Sequence, residues 1–196
     1  MNKLNLPPLH KCSVAVIGLG YVGLPLAIAI ANQKNCLLTN KKNKRKIIGF
    51  DLDNARIEEL NKGLDRNKVY YKNSQNNFEN IEFTSDPKSL RKVDVFIITV
   101  PTPIDDNNNP NLFFIKEASR IVGQAIKSPD YVAYNRIIIY ESTVYPGLTE
   151  ETCIPILEEE SEKIYNSQKD HNTFYCGYSP ERINPGDEKY SLSTII

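Results

Sequence analysis

The chain has little that would bind a metal. It holds two histidines, His10 and His171, and four cysteines, Cys12, Cys36, Cys153 and Cys176, with no CxxC pair among them. A structural zinc site needs four such ligands at short spacings, so none is expected, and the thiols read as reduced cysteines of a cytoplasmic protein. An excess of charge of either sign is also missing, because 24 Lys+Arg balance 24 Asp+Glu. Net neutrality gives no electrostatic reason to expect a nucleic-acid or membrane partner. The opening MNKLNLPPLHK has no apolar stretch of the kind a secretion signal carries. The apolar run from Val14 to Ala31 is broken by Gly18, Gly20, Gly23 and Pro25, so it reads as strand, turn and helix rather than as a membrane span. A chain of 196 residues can bury roughly 70% of its unfolded surface and needs no disulfide or metal staple.

What is present is an alternation of β-branched runs with helical periods. Residues 12–17, 46–51, 81–84, 93–99, 136–140 and 173–177 read as six strands. Helices are expected after the glycine turn, over 53–62 with Ile57 and Leu60 inward, at about 112–127, and at about 148–160, where Pro155 should kink or restart the helix. Residues 64–80 and 101–110 read as loops, and residues 34–46 as a basic, solvated insertion with no aromatic residue for base stacking. The stretch after the last strand, YSPERINPGDEKYSLSTII, has no clear period. Strands alternating with helices predict the α/β class: a doubly wound parallel sheet, Rossmann-like, six strands in the order 3-2-1-4-5-6. Residues 1–11 form a tail to this domain, which spans 12–192.

The functional signal is Gly18-x-Gly20-x-x-Gly23, which follows a strand and opens a helix. In that setting the three glycines allow a tight turn, close backbone approach to a pyrophosphate and close helix–strand packing, with the helix N-terminus facing the phosphates. Asp51 ends the second strand, where a carboxylate hydrogen-bonds the adenosine ribose and repels a 2′-phosphate, so NAD is expected rather than NADP. Asp51 lies 28 residues beyond Gly23, more than the usual ~20, and the insertion at 34–46 accounts for the excess. Asp53 is a rival that suits the cap of the next helix better. Arg56 either touches the ribose or adenine or is a solvated helix arginine. Thr102, after the fourth strand at the switch point of the sheet, either reaches the nicotinamide ribose or fills a proline-rich turn.

Five segments, GLGYVGLP, GFDLD, TVPTPID, YESTVYPG and YSPERINPGD, stand in this order on the expected elements. Together they resemble the UDP-glucose/GDP-mannose dehydrogenase family over about residues 12–192, and within it the UDP-N-acetyl-D-glucosamine and galactosamine 6-dehydrogenases. Such enzymes oxidise a sugar C6 hydroxyl to a carboxylate with two NAD+, for surface polysaccharide biosynthesis. The resemblance implies that Gly18, Gly20, Tyr21, Val22 and Gly23 line the pyrophosphate, and that Asp51 holds the ribose. It places Thr102 and Thr143 near the nicotinamide, with Thr143 also ordering catalytic water. Glu181 is implied as the carboxylate beside the reacting carbon, and Arg182 and Ile183 as substrate contacts. A UDP-sugar is the implied substrate, with UDP-glucose and GDP-mannose as alternatives.

The resemblance also implies parts that these residues do not contain: the central and C-terminal UDP-binding domains, and a glycine-rich segment carrying a nucleophilic cysteine. No Cys here sits in such a segment, so this chain alone is expected to bind NAD without turnover. A truncated chain is the expectation. A split protein completed by a second chain, or a non-catalytic NAD-binding module or remnant, are the alternatives, and self-association is left open.

Overall fold

The computed structural model describes residues 5–67, 78, 80–104, 109–129, 131, 133–167 and 172–180. Among these residues seven strands form one parallel sheet: β1 (Val14–Ile17), β2 (Ile47–Phe50), β3 (Ile81–Thr84), β4 (Val95–Ile98), β5 (Arg136–Tyr140), β6 (Ile164–Tyr165) and β7 (Thr173–Tyr178). Their order is β3-β2-β1-β4-β5-β7-β6. This is the expected doubly wound order, corrected by one strand. The two-residue β6 adds to the outer edge through Ile164↔Thr173 and Tyr165↔Phe174, too short to leave a periodic signal. Among the described residues four α-helices cover the sheet: α1 (Gly23–Asn32), α2 (Asn54–Asn61), α3 (Phe113–Lys127) and α4 (Ile154–Ser161).

The central strands β1 and β2 are buried at every residue, as continuous apolar strands covered on both faces should be. Alternation sends Val14 and Val16 to one face, against Leu24, Ala27 and Ile28 of α1. Ala15 and Ile17 go to the other, with Phe96, Ile98 and Ile138, against Ile115, Val122 and Ile126 of α3 and Leu157 of α4. The edge strand β3 turns Ile81 and Phe83 inward and Glu82 outward, where it pairs with Lys46 at 2.8 Å. Pro155 falls in the first turn of α4, and the preceding turn, Thr149–Cys153, is wound as a π-helix. A proline cannot donate to the carbonyl four residues back, so the helix restarts there. A short 3-10 turn, Pro87–Lys92, capped by Asp86, fills the connection to β4, which carried no helical period in the sequence.

At the N-terminal ends of the strands Arg136 is almost wholly buried. It donates to Val93 O and, at 2.8 Å, to Arg91 O, and stacks on the Tyr131 ring at 3.9 Å. Burial pulls its pKa down to about 10, which leaves it charged at neutral pH. Residues 5–11 lie against this end: Asn5 O accepts from Asn135 N at 2.9 Å and His10 O from Lys44 N at 2.8 Å. Among the described residues no helix is long and apolar enough to cross a membrane, and no group of three or more His, Cys, Asp or Glu could hold a metal ion.

Candidate functional site

The C-terminal ends of β1, β2 and β4 open onto a cavity of about 400 Å3, at the switch point of the sheet. β1 runs into Gly18, whose φ of +94° suits glycine and strains any other residue. The chain then turns through Gly20 and enters α1 at Gly23. A Cβ on Gly23 would lie 1.8 Å from Gly18 O and 2.4 Å from Thr99 Oγ1, so helix and turn are in backbone contact. A Cβ on Gly20 would meet nothing within 4 Å. Gly18 and Gly20 both line the cavity, so the backbone is bare on open space there. Val22 occupies the N-cap of α1, no side chain caps the helix and no acid sits in its first turn. Leu24 N donates to Gly20 O at 3.3 Å and Pro25 has no N–H, so the Gly23 N–H and the positive dipole end of the helix are what the first turn offers an anion. Tyr21, on the same turn, is exposed.

Asp51 leaves the tip of β2 and closes onto this turn. Its Oδ2 accepts from Leu19 N at 2.8 Å and its Oδ1 from Asp53 N at 3.0 Å. The carboxylate thus lines the cavity, while the glycine turn and the β2 tip are tied into one unit. Asp53 caps α2 by accepting from Ala55 N at 2.9 Å and Arg56 N at 3.2 Å, and it pairs with Arg66, which holds its carboxyl below the usual range. Arg56 is only 2% exposed and is not among the lining residues. Its Nε donates to Leu19 O at 3.1 Å, and its two terminal nitrogens meet Glu59 at 3.1 Å and Asp65 at 2.7 Å. The arginine is thus neither solvated nor facing the cavity: it holds the glycine turn from behind.

The cavity wall has residues that pattern reading missed. Leu52, Phe113 and Phe114 supply exposed apolar faces beside Asp51. Two adjacent phenylalanines on the exposed first turn of α3 were the available signal, since a surface helix seldom spends aromatics on solvent. Thr99, the residue after β4, is buried, and its one hydroxyl hydrogen is shared between Gly18 O at 2.8 Å and Ile17 O at 3.0 Å. Thr99→Val keeps the shape but leaves Gly18 O without that donor. The expected cost is ~1–2 kcal/mol, or roughly 2–8 °C in Tm for a domain of this size, together with weaker dinucleotide binding. Thermal melting in parallel with cofactor titration checks it, and an unchanged Tm would mean that the hydroxyl does not hold the turn.

The two threonines singled out for the nicotinamide side come together. Thr102 Oγ1 donates to Thr143 O at 2.5 Å, and Ser142 Oγ donates to Val100 O at 2.6 Å. These bonds stitch the loop after β4 to the loop after β5. Thr143 is exposed and Thr102 half-buried. Ser179, after β7, donates its N–H to Tyr140 O at 2.9 Å, beside the same loops. Glu181, Arg182 and Ile183 lie outside the described residues.

None of the four cysteines lines the cavity. Burial pushes the Cys12 and Cys153 thiols up, and burial followed by the neighbouring Cys153 pushes Cys176 up to about 12. Only Cys36 is lowered, by hydrogen bonds from Thr39. It sits beyond α1, at the end of the sheet away from the glycine turn.

Residues 12–195 match the profile described as UDP-glucose/GDP-mannose dehydrogenase family, NAD binding domain. The chain is 46% identical over 183 residues to protein CapL of Staphylococcus aureus, covering 93% of this chain and 38% of that protein. It is 43% identical over 182 residues to the UDP-N-acetyl-D-glucosamine 6-dehydrogenase of Pseudomonas aeruginosa, with the same coverage. The chain therefore spans well under half the length of these relatives. Among solved structures, a GDP-mannose dehydrogenase from Pseudomonas aeruginosa superposes with a TM-score of 0.71 at 23% identity, over 88% of this chain and 36% of that one, which speaks to the fold. The UDP-D-ManNAc dehydrogenase of Pyrococcus horikoshii does so with 0.66 at 26% identity, over 89% and 37%. With the glycine turn, the β2 carboxylate and the sheet order in place, this chain belongs to the UDP-glucose/GDP-mannose dehydrogenase family, as that family's NAD-binding domain.

Proposed function

We propose that the chain is the cofactor-binding part of an NAD-dependent 6-dehydrogenase acting on a UDP-N-acetyl-hexosamine in surface polysaccharide biosynthesis. The observation that carries the reading is one hydrogen bond, Leu19 N to Asp51 Oδ2 at 2.8 Å, which sets a phosphate turn and a ribose-binding carboxylate at one cavity. The high identity to a UDP-N-acetyl-D-glucosamine 6-dehydrogenase favours that sugar class over UDP-glucose or GDP-mannose. Asp51 takes the adenosine ribose hydroxyls, the Gly18–Gly23 turn, with the Gly23 N–H and the positive end of α1, takes the pyrophosphate, and Leu52, Phe113 and Phe114 flank the adenine. Tyr21 and Val22 border the phosphates. Arg56 acts on the cofactor through Leu19. Bound NAD+ would supply a hydride acceptor.

On the nicotinamide side, the stitched loops hold Thr102 and Thr143 in fixed register, with Thr143 exposed for cofactor or water. Glu181 is assigned the proton released as the alcohol is oxidised, since hydride transfer itself leaves that proton to be taken up. Arg182 and Ile183 are assigned to the substrate, with the guanidinium suited to a diphosphate. The buried, upward-shifted thiols of Cys12, Cys153 and Cys176 do not suit a nucleophile, because the thiolate is the reactive form. Free thiols and the biosynthetic relatives support a cytoplasmic setting.

Calorimetric titration of the 196-residue chain with NAD+, NADP+ and UDP-N-acetylglucosamine in parallel tests the reading. The expected result is NAD+ binding at least about tenfold tighter than NADP+, a preference of ~1.4 kcal/mol, and no NADH formed when sugar and NAD+ are combined. Absence of NAD+ binding would remove the cofactor assignment, and turnover by this chain alone would remove the argument from its cysteines.

A further inference from the structure

The insertion between α1 and β2 is built, although the cofactor site does not use it. Asn35 and Lys42 form an antiparallel bridge. Cys36 N donates to Lys41 O, Asn40 N to Cys36 O and Asn43 N to Lys34 O, each at 2.8 Å. Asn40 takes a positive φ of 50° to close the turn, and the Asn43 side chain donates to Gln33 O at 2.6 Å. The Cys36 side chain is covered within the hairpin. At the tip stand Leu37 and Leu38, 87% and 83% exposed, the two most exposed large apolar side chains among the described residues. A tight turn so well bonded has no structural need for two leucines in water.

Residues 33–46 also carry Lys34, Lys41, Lys42, Lys44, Arg45 and Lys46 and no acid. The neutrality of the whole chain conceals this local excess. Lys46 is paired with Glu82, while Lys34, Lys41, Lys42 and Lys44 are exposed along the two arms that carry the leucines. Partial burial and then Lys41, Lys11, Lys44 and Arg45 hold the His10 imidazole below its ordinary pKa, which shows these cations converging on one spot. Lys11 and the half-exposed Leu9 extend the patch.

We propose that this hairpin docks the chain on an anionic lipid surface, with Leu37 and Leu38 entering between headgroups and the lysine collar neutralising them. The two features suit a bilayer better than other polyanions. Nucleic acid would call for aromatic or arginine stacking faces, and the tip has neither. A protein partner would call for a flat or concave face with aromatic or arginine anchors, whereas this tip projects and is aliphatic. An apolar wedge ringed by lysines matches the interface of headgroups and acyl chains. The hairpin joins the C-terminal end of α1 to the N-terminal end of β2, so it lies at the end of the sheet opposite the glycine turn. Docking there leaves the cofactor cavity open to solution.

The test is flotation of the full chain with vesicles of phosphatidylcholine alone and of phosphatidylcholine with 30 mol% phosphatidylglycerol, a composition of roughly the anionic content that draws polybasic segments. The chain is expected to float with the anionic vesicles only, and to be released by about 0.5 M salt, where screening is short-ranged. Lys41→Gln/Lys42→Gln should lower partitioning by roughly fivefold per lysine, and Leu37→Ser/Leu38→Ser by about tenfold or more. Melting temperature and NAD+ affinity of each variant confirm that the fold is intact. Equal partitioning onto neutral vesicles, no flotation with either, or double variants that float like wild type would each overturn the proposal. Retention on polyglutamate that ignores the leucine substitutions would overturn it in favour of an acidic protein.

Discussion

Gly20→Ala is expected to leave Tm within about 2 °C of wild type while weakening NAD+ by about tenfold or more. Gly23→Ala is expected to damage the fold itself. The two positions are three residues apart in one turn, yet their surroundings are opposite. At Gly20 a Cβ meets no protein atom within 4 Å, and the backbone has no positive φ there, so alanine is tolerated by the folded chain. In the proposed complex the pyrophosphate comes against this backbone, so the methyl group costs the ligand and not the fold. At Gly23 the Cβ would stand 1.8 Å from Gly18 O and 2.4 Å from Thr99 Oγ1. Neither neighbour is a flexible side-chain end: Gly18 O is in the turn and already accepts from Thr99. Relief requires α1 to move off β1, which breaks the packing of Leu24 and Ala27 on the sheet. Overpacking of this kind costs about 3 kcal/mol, or roughly 6–12 °C in Tm for a domain of this size. Melting and NAD+ titration of both variants decide the matter. A Gly20→Ala chain that binds NAD+ like wild type would mean that no ligand approaches this turn.

Much of this arrangement was legible in the sequence because it is encoded locally. Parallel strands buried on both faces must be continuously apolar, so β1, β2 and β4 stand out as short runs, and β5 appears at its full length, Arg136–Tyr140. The glycine turn and Asp51 are legible because each sits at a fixed place relative to a strand end. What escaped depends on partners far along the chain. Thr99 is a β-branched residue ending a strand, and nothing nearby reveals that its hydroxyl serves Gly18, 81 residues away. Arg56 was read as a ribose contact or a solvated residue, because its acceptor at Leu19 is 37 residues off and Asp65 lies in a loop without pattern. The hairpin at 34–46 read as a solvated loop, since backbone bonds such as Cys36 N to Lys41 O leave no periodicity. Composition misled there too: a sum over the whole chain cancels a cluster of six basic residues against acids placed elsewhere.

Asp51→Ala is expected to raise the NAD+ Kd by about 100-fold, to raise that of NADP+ much less, and so to narrow the preference between them. The carboxylate acts in two ways. In the proposed complex it accepts from both adenosine ribose hydroxyls, and charge-assisted bonds of that kind are worth about 1.5–3 kcal/mol each. In the chain itself it accepts from Leu19 N at 2.8 Å and Asp53 N at 3.0 Å. Alanine therefore also loosens the phosphate turn, and the buried Leu19 loses an amide partner, at a cost of ~1–3 kcal/mol in stability. NADP+ gains an offsetting benefit, because its 2′-phosphate no longer faces a like charge across a few ångströms. Asp51→Asn separates the two roles. The amide oxygen still accepts from Leu19 N, while the amide NH2 cannot accept from Asp53 N, so Tm should fall less than in the alanine variant, but the charge is gone. Its NAD+ affinity should fall less than in the alanine variant, while its discrimination against NADP+ should narrow almost as far. Titration of both variants with both dinucleotides distinguishes these contributions. If neither substitution changes either affinity, the ribose is held by another group, and a carboxylate tied to the glycine turn would then be a fastening of the fold and no part of cofactor choice.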